Sequence, residues 1–293
     1  MEVFHPKLSD EVHKLYGCGD ETMKLSVFYD HILQAAEQTG KSLSELLQGV
    51  RDAGIEAVEI NMSYLCEHEE TYGLLREAKL HVSCVYEFYE MDCRDEREKA
   101  KRHIETASKA EAGKILVVPG FLSAEEAEMM KSCVSDYDRT AAFLERNEKA
   151  LRIAKGLAEI ATLGTAAGIM VTIEDFDDTK SPISSVNGML WFLKQIPQLK
   201  VTFDTGNFII HGEDVLASWE VLKKRVVHVH CKDRGPQSVA AGDGDIPIKA
   251  VIDKLKQHSY DGYLAIEHFD AAEQEICMKK SAGYLKHILE VEG

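Results

Sequence analysis

The seven cysteines (Cys18, Cys66, Cys84, Cys93, Cys133, Cys231 and Cys277) include no CxxC pair. An odd number without paired spacing argues against zinc ribbons and a disulfide framework, and fits a reducing, cytoplasmic setting. No apolar run approaches the ~18 residues of a membrane span. The opening Met-Glu-Val-Phe-His-Pro lacks the basic start and apolar stretch of a secretory leader. Positive charge is scarce: 34 Lys and Arg against 50 Asp and Glu leave a net charge of −16. Such a surface repels nucleic acid and anionic membrane unless a local basic cleft exists, so neither is expected as a partner. No linker or low-complexity stretch interrupts the chain, and residues 1–293 read as one domain.

What is present is an ordinary globular composition, 45% hydrophobic and 29% charged, with apolar mass for a large core. One local pattern recurs: a helical stretch, a glycine, then a short apolar run. It occurs at Gly54 before Ala57 to Ile60, Gly113 before Lys114 to Val118, Gly168 before Met170 to Glu174, and Gly262 before Tyr263 to Glu267. Glycine just past a helix supplies the left-handed residue that ends it, and an apolar run of four to six residues reads as a strand buried on both faces. Repeated helix-to-strand junctions imply βα units around a parallel sheet.

Filling the gaps gives eight strands: Lys24–Tyr29, Ala57–Ile60, His81–Tyr86, Lys114–Val118, Met170–Glu174, Val201–Asp204, Val226–His230 and Tyr263–Glu267. Helical periodicity lies between them at Leu43–Arg51 after a Ser42 cap, Arg94–Ala112, Arg139–Ala167 after Asp138, Val186–Gln195, Asp214–Lys224, Pro247–His258 and Ala271–Leu289. Eight alternations over this length predict a single (β/α)8 barrel. An open doubly wound sheet would carry a Gly-rich turn after its first strand, where this chain has Tyr29-Asp30-His31. The stretch from Pro119 to Asp138 is the longest irregular candidate and is expected as a loop or short helix over the barrel mouth.

Catalytic groups of this fold sit at the C-terminal strand ends. Strands five, six, seven and eight end in Glu174, Asp204, His230 and Glu267. Any one such carboxylate is more often a cap or ion-pair partner. Four at matching ends, buried together, need compensation, and a divalent cation is the simplest. Three hard oxygens and one nitrogen suit Mn²⁺ first, with Mg²⁺, Co²⁺ or a non-thiolate Zn²⁺ as alternatives. His228 faces the same side one layer deeper and reads as a supporting histidine. Cys231, by alternation, points away and reads as packing. Glu59 ends strand two and Glu87 follows strand three, so both are candidates to line the pocket; their structural alternatives are an ion pair inside the barrel and a solvated loop position. Tyr29, His31, His68 and Trp219 are weaker candidates.

These residues resemble a known family. Val-Thr-Ile-Glu at Glu174, Phe-Asp-Thr-Gly-Asn at Asp204, His-Val-His-Cys-Lys-Asp at His230, Ala-Ile-Glu-His at Glu267 and Ala-Gly-Asp-Gly-Asp-Ile-Pro over residues 241–247 are similar to the xylose isomerase-like barrels. Within them the nearest likeness is to the sugar phosphate isomerase/epimerase group, with its ketose 3-epimerases and inosose dehydratases. The resemblance implies one metal on Glu174, Asp204, His230 and Glu267. It also implies that Glu174 and Glu267, arising across the mouth from one another, exchange protons with substrate carbon through an enediolate. Ketose 3-epimerases carry a histidine where this chain has Asn207 and an arginine where it has Pro236, with Arg234 nearby. Lys232 and Asp233 look more like the isomerase and inosose dehydratase branches. Substrate contacts are therefore expected from Lys232, Asn207, Arg234 and Glu87; the alternative for Lys232 is a simple pair with Asp233.

The expected substrate is a small carbohydrate. A metal-dependent isomerase or epimerase is the first reading and a dehydratase of a cyclic polyol ketone the second. An apurinic-site endonuclease would want histidines where Asn207 and Asp245 stand. A catalytically dead binding module is argued against by the complete ligand set. A homo-oligomer is compatible with an acidic barrel of this size.

Overall fold

The computed structural model describes residues 23–235 and 237–291. Eight parallel strands close on themselves: β1 (Lys24–Phe28), β2 (Ala57–Asn61), β3 (His81–Phe88), β4 (Lys114–Val118), β5 (Met170–Ile173), β6 (Lys200–Asp204), β7 (Val226–Arg234) and β8 (Tyr263–Glu267). Each pairs with its sequence neighbour, and β8 pairs with β1 to shut the ring. The chain is the (β/α)8 barrel its strand spacing predicts. Among the described residues, no helix is long and apolar enough to cross a membrane.

The two-residue period of each strand sorts the side chains. Val27, Val58, Ile60, Val85, Ile115, Val201, Val229, Leu264 and Ile266 are fully or almost fully buried in one continuous apolar core with the helices. A buried side chain of this size contributes about 1.5–3 kcal/mol over an exposed one. The lumen is polar instead. Ser26, Glu59, Thr172, Thr202 and His228 are completely buried, and Thr202 donates to Thr172 at 2.8 Å.

Several local expectations change. Gly54 and Gly168 end their helices with left-handed backbone, φ 83° and 71°. At the other two junctions Glu111 and Ser259 take that conformation, because the left-handed residue must follow the helix directly and the glycine comes later. Gly262 serves close approach: a Cβ there would lie 2.5 Å from the Tyr260 hydroxyl oxygen. The stretch Arg139–Ala167 is two helices, Tyr137–Leu144 and Glu148–Ala167, because the Asp136 and Asn147 side chains accept from Arg139 and Ala150 amides and cap two separate starts. Helices Tyr29–Thr39, Met62–Glu67 and Glu70–Glu77 went unread.

The stretch after Pro119 contains helix Ala124–Lys131, opened by a reciprocal Ser123–Glu126 capping box. Its first residues reach the rim of the cavity at the barrel mouth, where Phe121 packs at 5.9 Å on the cavity-lining Phe176. Met130 is buried, and the Asn187 side chain donates to Val134 O at 2.8 Å, so this segment packs beside helix Val186–Gln195. Ser123→Ala is expected to cost about 1 kcal/mol, read as a shift of the denaturant midpoint with an unchanged slope.

Candidate active site

Strand register assembles the site. Asp204 pairs across with His230, and Thr202 with His228. His230 pairs with Ala265, and Lys232 with Glu267. The inward-facing residues of β6, β7 and β8 thus place Asp204, His230 and Glu267 at one end of the lumen, and Glu174, the residue after β5, joins them. β7 runs on to Arg234, four residues beyond the predicted end, and carries Lys232 into the same end of the barrel.

His230 is the centre of the cluster. Its Nδ1 lies 3.0 Å from Glu174 Oε2, 3.1 Å from Glu267 Oε2 and 3.8 Å from Asp204 Oδ2. Glu174, Asp204 and His230 offer ligand atoms all within 4.8 Å of one another. The glutamates that follow strands five and eight, which are not neighbours in the ring, converge on one imidazole nitrogen. His230 Nδ1 and Asp204 Oδ2 are buried without a hydrogen-bond partner. Asp204 Oδ1 accepts from the Gly206 and Asn207 amides at 2.7 and 2.9 Å, which turns the other oxygen inward. Orphaned donors of this kind, hard oxygens with one imidazole, fit a divalent cation.

Electrostatics say the same. Burial, with the Glu267 charge next, pushes Asp204 well above the usual carboxylate range. Burial also raises Glu174. Burial opposes charge on Glu267 too, but Lys232 and His230 hold it low. Burial likewise opposes charge on His230, yet Glu59, Glu174 and Glu267 raise it well above an ordinary imidazole. The cluster holds more carboxylate than it has positive charge to match, and a dication among them would reverse the upward shifts.

Glu59 lies beneath, fully buried. Its Oε2 is 3.0 Å from His230 Nε2 and 2.8 Å from His228 Nε2. Burial works against its charge, but the two imidazoles keep its pKa low. With Nε2–H of His230 donated to Glu59, the lone pair of Nδ1 faces the cluster. Glu59 therefore orients His230 from inside the barrel and does not line the cavity.

Above the cluster opens a cavity of about 760 Å³. Lys232, Asn207, Arg234, Glu174 and Glu267 line it. Lys232 Nζ is 2.8 Å from Glu267 Oε1 and 3.4 Å from Asp177 Oδ2, so its partners are these two and not Asp233. Asp233 instead accepts from the amides of Gly242, Gly244 and Ile246 and ties down the 241–247 loop. A Cβ on Gly244 would sit 2.3 Å from Asp233 Oδ1. Asn207 Oδ1 is buried with no partner. Glu87 stays out of the cavity: it accepts from the Phe88 amide at 2.8 Å and pairs with Lys99 at 3.3 Å. Pro236 and Cys18 lie outside the described residues.

The weaker candidates are placed elsewhere. Tyr29 packs on Tyr64, and Trp219 on Phe203. His68 is at the surface beside Glu70. His31 stacks on His268 at 4.5 Å and accepts the His268 amide at 3.0 Å, behind β8. Cys231 is buried packing.

Several groups escaped sequence reading. Asp175 is fully buried and accepts from the Asp204 amide at 3.3 Å; its adjacency to Glu174 was the available signal. Asp30 from the first turn of a helix, Tyr86 from β3, and Asp177 and Asp270 from loops reach the cavity at positions whose sequence carries no distinguishing pattern. A second cavity, about 260 Å³ between helices Arg97–Lys109 and Glu148–Ala167, holds an Arg97–Glu159 ion pair and lies apart from the strand ends.

Comparison with known proteins follows this geometry. Residues 47–288 match the family described as xylose isomerase-like TIM barrel. An inosose dehydratase of Clostridium perfringens is 28% identical over 138 residues, 39% of this chain and 46% of that protein. The chain thus spans about half the length of the curated relatives it matches first. Among solved structures, D-psicose 3-epimerase with D-tagatose from Clostridium cellulolyticum H10 has a TM-score of 0.69 at 15% identity, covering 92% of this chain and 100% of that one. The probable 3-DHS dehydratase AsbF of Bacillus anthracis has a TM-score of 0.68 at 16% identity, covering 90% and 99%. At these identities the structures speak for the fold. The family match, which spans most of the chain and all four strand ends just described, places the protein among the xylose isomerase-like TIM barrel enzymes.

Proposed function

We propose that the protein is a divalent-metal-dependent sugar isomerase or epimerase that moves protons between substrate carbon and the carboxylates of Glu174 and Glu267. The observation that carries this reading is the convergence of both glutamates on His230 at the floor of the cavity, 3.0 and 3.1 Å from one nitrogen. Glu174, Asp204, His230 and Glu267 would hold the metal, with Mn²⁺ first among the candidates. When bound, a divalent cation supplies Lewis-acid stabilisation of the negative charge that develops on substrate oxygens.

The chain's own groups do the rest. Glu267, kept ionised by Lys232, takes the proton from carbon. Glu174, raised by burial, returns one. Asn207 Oδ1 accepts a substrate hydroxyl, and the Lys232 ammonium stabilises an oxygen that gains charge. In deuterated water a substrate is expected to gain label at the carbon beside its carbonyl, with almost no exchange in metal-free protein. Mass spectrometry checks this, and turnover without solvent label would speak against a two-base route.

One observation favours a second reading. Lys232 sits 2.8 Å from Glu267, close enough to the base to donate a proton to a departing hydroxyl. The same site would then dehydrate a cyclic polyol ketone: one carboxylate takes the carbon proton, the carbon–oxygen bond breaks, and water leaves. The curated inosose dehydratase similarity points the same way. A product lighter than its substrate by one water separates this reading from isomerisation, which preserves mass.

A further inference from the structure

Resting on the carbohydrate reading of the site, we propose that Asp30, held by Tyr86, is a specificity-determining residue that accepts a substrate hydroxyl and restricts the cavity to uncharged, unphosphorylated polyhydroxy ketones. Three observations carry it. First, Tyr86 donates its hydroxyl to Asp30 Oδ2 at 2.7 Å, and both residues line the cavity. Tyr86 comes from β3, while Asp30 stands in the first turn of helix Tyr29–Thr39, so the pair bridges two elements on the side of the barrel away from β5 to β7. The side chain is fixed in place, and Asp30 stays partly exposed toward the cavity. A positioned carboxylate prefers a neutral hydroxyl donor and repels an anion.

Second, the wall charge is lopsided. Asp30, Asp177 and Asp270 line the cavity besides Glu174 and Glu267, against Lys232 and Arg234. Lys232 is already engaged by Glu267 and Asp177. Even with a dication bound, Asp204 and these five carboxylates outnumber the positive charges. A phosphate dianion entering here meets net repulsion with, among the described residues of the wall, one uncommitted guanidinium, Arg234, to offset it.

Third, aromatic rings form much of the remaining wall, beside Leu116, Val118, Gln237 and Ser238. Phe88 is 45% exposed and stands edge-to-face with Phe176 at 5.9 Å, and Phe28 packs on Phe269 at 5.3 Å. Aromatic faces suit the C–H surface of a sugar or cyclitol ring and offer a phosphate nothing.

The test is equilibrium binding to the Mn²⁺-loaded protein by calorimetry. The probes are a panel of free ketohexoses and inososes together with the 6-phosphates of the same ketohexoses. At least one free compound is expected to bind, and each phosphate ester about tenfold or more weaker than its parent, as like charges at close range dictate. Asp30→Asn removes the charge but keeps the shape; it is expected to shrink that ratio toward one while leaving metal content and melting temperature unchanged. Tyr86→Phe is expected to weaken free-ketose binding with the ratio retained. A phosphate ester binding as tightly as its parent overturns this inference and leaves the isomerase reading standing. An Asp30→Asn protein that folds, loads metal and keeps the full ratio also overturns it. Failure of every compound to bind metal-loaded protein overturns both.

Discussion

Glu174→Gln and Glu267→Gln are each expected to lower turnover by at least about 10²-fold, the share that general acid–base catalysis ordinarily supplies. Glutamine keeps the length of the side chain and one oxygen, so part of the metal affinity should survive, but it neither takes nor gives a proton at neutral pH. Because both residues are also proposed ligands, metal content must be read beside activity, by elemental analysis of each variant. A variant that keeps its metal and loses solvent exchange supports the double role. His230→Ala provides the contrast: it removes the nitrogen around which Glu174 and Glu267 gather, and metal content should fall toward zero. If His230→Ala holds as much metal as the parent, the ligand set is wrong. If both glutamine variants load metal and turn over normally, the acid and base lie elsewhere in the cavity.

The second large effect is expected far from solvent. Glu59→Gln should weaken metal binding by about 10- to 100-fold, the usual consequence of losing a partner that orients a ligating histidine. Glutamine can present its amide N–H to His230 Nε2, which favours the tautomer with its proton on Nδ1, the nitrogen facing Asp204, Glu174 and Glu267. Glu59→Ala goes further. It leaves both His228 and His230 without their buried partner and should cost about 3–5 kcal/mol of stability. Titrating metal into each variant, with a chemical denaturation curve alongside, separates the two effects. A folded Glu59→Gln protein of unaltered metal affinity would show that packing alone holds the imidazole.

The strand ends were legible because chemistry and periodicity coincide there. Glu174, Asp204, His230 and Glu267 each close an apolar run, and the register brings them together. The closed barrel was legible for the same reason. Glu59 was legible as an inward group but ambiguous in role, since its distance from His230 depends on barrel closure, 171 residues away in sequence. The alternative of a simple Lys232–Asp233 pair fails because the Asp233 side chain points the other way along an alternating strand, and Glu267 lies opposite Lys232 in register. Tyr86 closes the expected strand His81–Tyr86, Asp30 opens the helix after β1 and Asp177 lies in a loop, but no repeating pattern marks any of the three as cavity wall. The break at Asn147 was missed because helix propensity continues through it, and only a side chain folded back on the Ala150 amide reveals a new start.

The proposed metal ligands all come from the C-terminal ends of the consecutive strands β5 to β8, whereas Tyr86 and Phe88 come from β3 and Asp30 from the helix that follows β1. The proposed Asp30–Tyr86 pair and the proposed metal and acid–base groups therefore sit on different arcs of one ring, joined underneath by Glu59 reaching from β2 to the β7 histidines. For directed evolution this is a modular layout. Positions in the first arc can be randomised in a library with the exception of Phe28, whose ring packs on the proposed ligand His230 at 5.0 Å, and each clone can be screened for retained metal before it is offered a new sugar. The Glu59 tether and the Phe28 contact set the boundary of that freedom, since both bear on His230 from the first arc.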